Sequence, residues 1–206
     1  MISAPGSGSG KTTIVCGLLK ALMEKGLSVA AFKSGPDYID PMFHSRVIGA
    51  KSRNLDLFML GQATTRYLVA KNARHADVAV FEGAMGFYDG MGKTTEASAS
   101  DLACTCDVPV VLVVNGKGAA LSIAATIKGF KEFRSDSHIV GAILNNVNPM
   151  SYLFYKDVIE RETGVKLLGY FPVMQGCNFK SRHLGLVTAE EIGDLQQIVA
   201  KLAAAG

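Results

Sequence analysis

No apolar stretch in this 206-residue sequence approaches the roughly 20 residues that a membrane-spanning helix needs. The longest uninterrupted run, Val110 to Val114 with Val108 and Pro109 before it, is far shorter, so no membrane partner is expected. The sequence opens without the basic segment and apolar core of a signal peptide, and nothing points to export. Cysteine is scarce. Four cysteines at irregular spacing read as the reduced thiols of a cytoplasmic protein rather than as a disulfide framework. Charge of one sign is also in short supply: 21 Lys and Arg against 18 Asp and Glu leave a net charge of +3, too small for a nucleic-acid partner. Internal repeats and low-complexity linkers are missing. With 49% hydrophobic and 19% charged residues, the composition excludes a disordered tail or a coiled coil and predicts a single domain over 1–206.

Glycine, by contrast, is abundant. The 22 glycines exceed the average share of about 7%, which implies tight turns or backbone in close approach to a ligand. Short apolar runs predict strands at Met1–Ala4, Ser28–Phe32, Val78–Phe81, Val108–Val114, Ile139–Leu144 and Leu167–Phe171. The middle runs are apolar on both faces, the pattern of parallel strands buried between helices. Between them, helices are predicted at Lys11–Glu24, Thr65–Arg74, Ala119–Phe133, Met150–Thr163 and Ala189–Ala204, with Gly26 and Gly164 as stops. This alternation predicts a doubly wound, mostly parallel α/β sheet.

Between the first strand and the first helix lies Ala4-Pro5-Gly6-Ser7-Gly8-Ser9-Gly10-Lys11-Thr12-Thr13. Such a loop turns backbone N–H groups inward around a phosphate, here those of Gly8 to Gly10. Lys11 can reach the β/γ oxygens, Thr12 offers a hydroxyl to Mg²⁺, and Ser9 and Thr13 complete the cradle. The strict pattern places a glycine where this chain has Pro5. ATP and Mg²⁺ are therefore the expected cofactors.

Polar residues come directly after the apolar runs: Lys33 to Asp40, Glu82, Asn115 and Asn145. In a parallel sheet those positions share one crevice with the phosphate loop. Glu82 then supplies a hard anionic oxygen beside the metal. Asp89 reads either as a site residue or as the turn partner of Gly90, and Asp37 and Asp40 either as site carboxylates or as Asx-turn residues around Pro36 and Pro41.

The segments Lys33-Ser34-Gly35-Pro36-Asp37-Tyr38-Ile39-Asp40-Pro41, Glu82 to Gly90, Gly141 to Asn145, Leu168 to Pro172 and Ser181-Arg182-His183-Leu184-Gly185-Leu186 resemble, in order, the synthetase domain of cobyrinate a,c-diamide synthases. The resemblance implies a P-loop NTPase fold of the dethiobiotin synthetase/MinD-like type. It also implies an ATP- and Mg²⁺-dependent ligase that amidates two acetate side chains of a tetrapyrrole, cobyrinate or nickel-sirohydrochlorin. In this scheme Lys11, Asp40 and Asp89 are catalytic, Thr12, Asp37 and Glu82 hold the metal, and Asn145 reads the adenine edge. Tyr38, His44, Ser181, Arg182 and His183 contact the tetrapyrrole carboxylate substrate, Arg182 by a two-pronged grip on a carboxylate.

The family carries a glutaminase domain beyond the Ser181–Leu186 segment, and this sequence ends soon after it, at Gly206. The expectation is a synthetase domain lacking that glutaminase and relying on a glutaminase domain or another ammonia source. Cys16, Cys104, Cys106 and Cys177 lack the context of an activated thiolate. A homodimer is allowed by analogy with the fold. Two rival readings share the fold: a dethiobiotin-synthetase-like ligase, disfavoured by the Gly35–Pro41 segment, and a partitioning ATPase switch, which would carry a lysine where Gly6 stands.

Overall fold

Seven strands form one sheet in the computed structural model, which describes residues 1–37, 39–173, 197–201 and 203. They are β1 (Ile2–Ser3), β2 (Val29–Ser34), β3 (Lys51–Leu55), β4 (Val78–Glu82), β5 (Val110–Asn115), β6 (Ile139–Asn145) and β7 (Lys166–Phe171). Their order is β3-β2-β4-β1-β5-β6-β7, and every neighbouring pair is parallel. The sequence therefore forms the doubly wound α/β sheet that its alternation predicts.

The two faces are covered by different helices. On one, α1 (Lys11–Glu24) buries Ile14, Val15, Cys16 and Leu19 against Ile2, Ala31, Val80 and Val113. On the other, α4 (Ala99–Cys106), α5 (Ser122–Glu132) and α6 (Pro149–Thr163) seat Leu102, Ile123, Ile127 and Ile159 on Phe32, Phe81, Leu112, Leu144 and Leu167. Each large side chain so buried stabilises the fold by about 1.5–3 kcal/mol. Alternate residues of β5 face the two cores, and this is why its run reads as continuously apolar.

Local chemistry sets the helix boundaries. Gly10 precedes α1 at φ 91°, and Gly26, at φ 81°, comes after it. Asn148 caps α6 by accepting from the Ser151 N–H, Pro149 fills the first turn, and Gly164 at φ 60° ends the helix. A short α2 (Ile39–Met42) runs into a π-helical turn, Phe43–Ile48.

Three differences from the sequence expectation have physical causes. Strand β3, Lys-Ser-Arg-Asn-Leu, is too polar to read as a strand, because it is an edge strand with Ser52 and Leu55 as its buried residues. Helix α3 (Leu57–Ala73) begins well before Thr65: Asp56 caps it, and a non-helical Gly61 at φ 69° kinks it near its start. Helix α4, not among the helices predicted above, begins at Ala99 and is capped by Ser98, whose hydroxyl accepts from the Asp101 N–H. The predicted helix at Ala189–Ala204 lies mainly outside the described residues, of which 197–201 are helical. Among the described residues no helix is long and apolar enough to cross a membrane.

Candidate active site

Strand β1 sits at the centre of the sheet with β4 and β5 on either side, so the loop after it opens at the point where the strand order reverses. A cavity of about 800 Å³ lies there, lined by Gly8, Gly10, Lys11, Thr12 and Thr13 from the loop and the start of α1, and by Lys33, Asp37 and Asp40 from the segment after β2. The loop after β4 is stitched over the phosphate loop. The Gly83 N–H donates to the Ile2 carbonyl at 2.9 Å, and the Phe87 N–H donates to the Ala4 carbonyl at 2.8 Å. This brings the Met85 carbonyl to Lys11, whose Nζ donates to it at 2.6 Å and to the Gly6 carbonyl at 3.0 Å. Burial, and next the neighbouring Lys33 ammonium, lower the Lys11 pKa below the ordinary lysine value.

The carboxylates meet around a second lysine, near the carboxyl end of β2. Lys33, at 3% exposure, places Nζ 2.7 Å from Asp40 Oδ2, 3.1 Å from Glu82 Oε1 and 3.9 Å from Asp37 Oδ2, and donates to the Gly83 carbonyl at 3.2 Å. Burial by itself would lower its pKa, but Glu82 and Asp40 outweigh that and leave it raised. The Thr12 hydroxyl donates to Glu82 Oε1 at 2.6 Å, with Asp40 Oδ2 3.5 Å away. Asp37 Oδ1 accepts from the Asp40 N–H at 3.3 Å, so the Asx-type turn and the placement beside Lys33 coexist.

Three expected site residues are placed differently from the sequence reading. His44, expected against substrate, is fully buried, with Nε2 3.0 Å from Glu82 Oε2 and Nδ1 3.0 Å from Ser52 Oγ; its ring is spent on the carboxylate and not on the cavity. Asn145, expected at the adenine edge, donates Nδ2 to the Ser9 carbonyl at 2.9 Å and braces the phosphate loop. Its neighbour Asn146, at φ 59°, lines the cavity with Asn115 and donates Nδ2 to the Asn115 Oδ1 at 3.1 Å. Asp89 accepts the Gly86 N–H at 2.8 Å in a local turn and does not line the cavity. Ser9 donates its hydroxyl to the Gly6 carbonyl at 2.9 Å, within the loop. Tyr38, Ser181, Arg182, His183 and Cys177 lie outside the described residues.

The donor set suits a nucleotide with Mg²⁺. Backbone N–H groups at the start of α1 and the Lys11 ammonium offer positive charge to phosphates. Thr12, Asp37, Asp40 and Glu82 offer hard oxygens. Among the described residues no three Asp, Glu, His or Cys side chains form a metal nest by themselves. Such sparse ligation matches an ion that arrives on phosphate oxygens and keeps part of its water.

The model of the CobQ/CobB/MinD/ParA nucleotide binding domain matches residues 1–183. The cobyrinate a,c-diamide synthase of Clostridium acetobutylicum is 43% identical over 203 residues, 98% of this chain and 46% of that protein. The protein of the same name from Salmonella typhimurium is 42% identical over 197 residues, 93% of this chain and 42% of the relative. The chain thus spans about half the length of the curated relatives it matches. Among solved structures, chloroplast FtsY from Physcomitrella patens superposes at TM-score 0.60 with 12% identity, over 96% of this chain and 64% of that one. The MinD cell division protein of Aquifex aeolicus does so at 0.57 with 16% identity, over 98% and 93%. These two likenesses show a shared α/β fold.

Proposed function

The chain belongs to the CobQ/CobB/MinD/ParA nucleotide binding domain family, and from that premise we propose that it is the ATP- and Mg²⁺-dependent synthetase part of an enzyme that amidates the a and c acetate carboxylates of cobyrinate or a related tetrapyrrole. The observation that carries this reading is the meeting of Lys11, Thr12, Lys33, Asp37 and Asp40 on one cavity, with Glu82 buried directly behind them.

A carboxylate lacks a leaving group that ammonia can displace. In the proposed reaction a substrate carboxylate oxygen attacks the γ-phosphorus of ATP and ADP leaves. Ammonia then opens the acyl phosphate to an amide and inorganic phosphate. Catalysis of the first step is positioning and charge neutralisation. Lys11 and the backbone of Gly8 to Gly10 bind phosphate oxygens, and the lowered Lys11 pKa comes with a buried ammonium that gains from an anionic partner. Thr12, Asp37 and Glu82 would hold Mg²⁺, which when bound neutralises charge on the phosphates. Lys33 balances the charge of Asp40 and Glu82 and fixes both side chains, and Asp40 faces the cavity where the reacting carboxylate would lie. Tyr38, Ser181, Arg182 and His183 remain the proposed contacts to the tetrapyrrole, and a glutaminase domain or partner the proposed ammonia source.

The test is incubation of the chain with ATP, Mg²⁺, ammonium chloride and each candidate tetrapyrrole acid, with mass measurement of the product. The expected product carries two acid-to-amide conversions. ATP turnover unaffected by any tetrapyrrole acid, with no amide formed, would contradict the proposal.

A further inference from the structure

Glu82 is completely buried at the end of β4, yet the two oxygens of its carboxylate face different partners. Oε1 accepts from Thr12 at 2.6 Å and from Lys33 at 3.1 Å, on the cavity side. Oε2 lies 3.0 Å from His44 Nε2, on the side away from it. Behind the histidine, Ser52 Oγ of β3 lies 3.0 Å from Nδ1. A carboxylate oxygen accepts, so Nε2 carries a proton, and in the neutral ring the Ser52 hydroxyl donates to Nδ1. Neither His44 nor Ser52 lines the cavity, and the His44 side chain has no exposure at all.

The terminal torsion of a glutamate is broad, and a single-sided contact leaves the carboxylate plane free to turn. Contacts on both oxygens remove that freedom. Without the His44 donor, Oε2 would be a buried, unsatisfied acceptor, a cost relieved most directly by swinging toward Lys33 and away from Thr12. The histidine is itself anchored: it sits in the π-helical turn Phe43–Ile48, and its carbonyl accepts from the Ala50 N–H at 2.8 Å. π-helical turns recur at functional sites, where they re-aim a side chain.

We propose that His44 is a positioning residue that, backed by Ser52, holds the Glu82 carboxylate with Oε1 presented to Thr12 and Lys33, so that the metal-nucleotide site depends on a ring that never touches substrate, metal or nucleotide. The inference deepens the proposed metal-holding role of Glu82 and rests on it. Partners of ligating carboxylates are the kind of contact whose loss weakens a metal site without altering its ligands.

The test uses the full chain and His44→Met, His44→Gln and Glu82→Gln variants. Methionine keeps an unbranched apolar volume but no donor, whereas glutamine sets an amide nitrogen close to where Nε2 stood. Three quantities are read: ADP affinity in EDTA by calorimetry, Mn²⁺ affinity in the presence of ADP by electron paramagnetic resonance, and thermal unfolding. For His44→Met the metal-free ADP affinity is expected within about twofold of wild type while Mn²⁺ binding weakens roughly 10- to 100-fold. His44→Gln is expected to restore most of that loss, and Glu82→Gln to reproduce it. Wild-type Mn²⁺ binding in His44→Met, or His44→Gln no better than His44→Met, would overturn the role of His44. Unchanged Mn²⁺ binding in Glu82→Gln would overturn the metal-holding role of Glu82 beneath it. Should His44→Met unfold, His44→Asn replaces it. Asparagine reaches only the Nδ1 position, so Gln must bind Mn²⁺ more tightly than Asn, and equal binding by the two overturns the proposal.

Discussion

The Lys33 ammonium lies 2.7 Å from Asp40 Oδ2, inside the sheet's carboxyl edge where both side chains are almost wholly buried. The same ammonium reaches Glu82 at 3.1 Å, so one cation compensates two carboxylates. Removing it in Lys33→Met takes away the ammonium in direct contact with both and is expected to destabilise the fold by about 3–5 kcal/mol. Denaturant unfolding measures this. Lys33→Met combined with Glu82→Gln should lose less than the sum of the single variants, because the charge that Lys33 balances is partly gone.

Lys11→Ala should keep the fold and lose ATP hydrolysis by on the order of 10²–10³-fold. Its ammonium holds the carbonyls of Gly6 and Met85, neither of them a charged partner left behind. Steady-state turnover with circular dichroism as the fold control checks both halves, and retained turnover would remove the lysine from the site.

A Cβ on Gly10 would fall onto Asn145 Nδ2, and the backbone there has φ 91°. Gly10→Ala should therefore cost about 1–3 kcal/mol in strain alone. Since the Asn145 contact to Ser9 braces the loop, the variant should also lose ADP affinity in calorimetry. Asn145→Ala in the same chain should relieve the collision but not the strain, restoring only part of the stability.

The thiols predict the nitrogen source. Cys16 is fully buried on the inner face of α1, and burial, together with nearby Asp136, pushes the Cys104 thiol up to about 11. Burial also raises Cys106. A thiol with a raised pKa stays protonated, and so unreactive, at neutral pH. Alkylation of Cys104, read by peptide mass spectrometry, should climb only as the pH approaches about 11. Cys177 lies outside the described residues and its sequence lacks the context of an activated thiolate, so amide formation by this chain is expected with ammonium and not with glutamine.

Much of this was legible in the sequence, and the part that was not shares a cause. Helix α1 was readable to the residue because Gly10 and Gly26 punctuate it. The phosphate loop and Glu82 were readable because each comes directly after an apolar run. Lys33 was placed at the crevice and His44 among the site residues, but the contacts they make were not readable, since their shared partner Glu82 is 49 and 38 residues away and no local pattern records it. Asn145 was placed at the right strand end, but its contact to Ser9 was not readable: the two are 136 residues apart, and β5, paired with β1 on one side and β6 on the other, brings them together. The edge strand β3 hid behind the polar residues that an edge tolerates.

The proposed phosphoryl transfer to a carboxylate is tested most directly with heavy oxygen. A tetrapyrrole acid labelled with heavy oxygen in its acetate carboxylates is incubated with the chain, ATP, Mg²⁺ and ammonium chloride, and the released inorganic phosphate is analysed by mass spectrometry. An acyl phosphate requires that each amide formed send one labelled oxygen into phosphate. Unlabelled phosphate released alongside amide product would contradict the account.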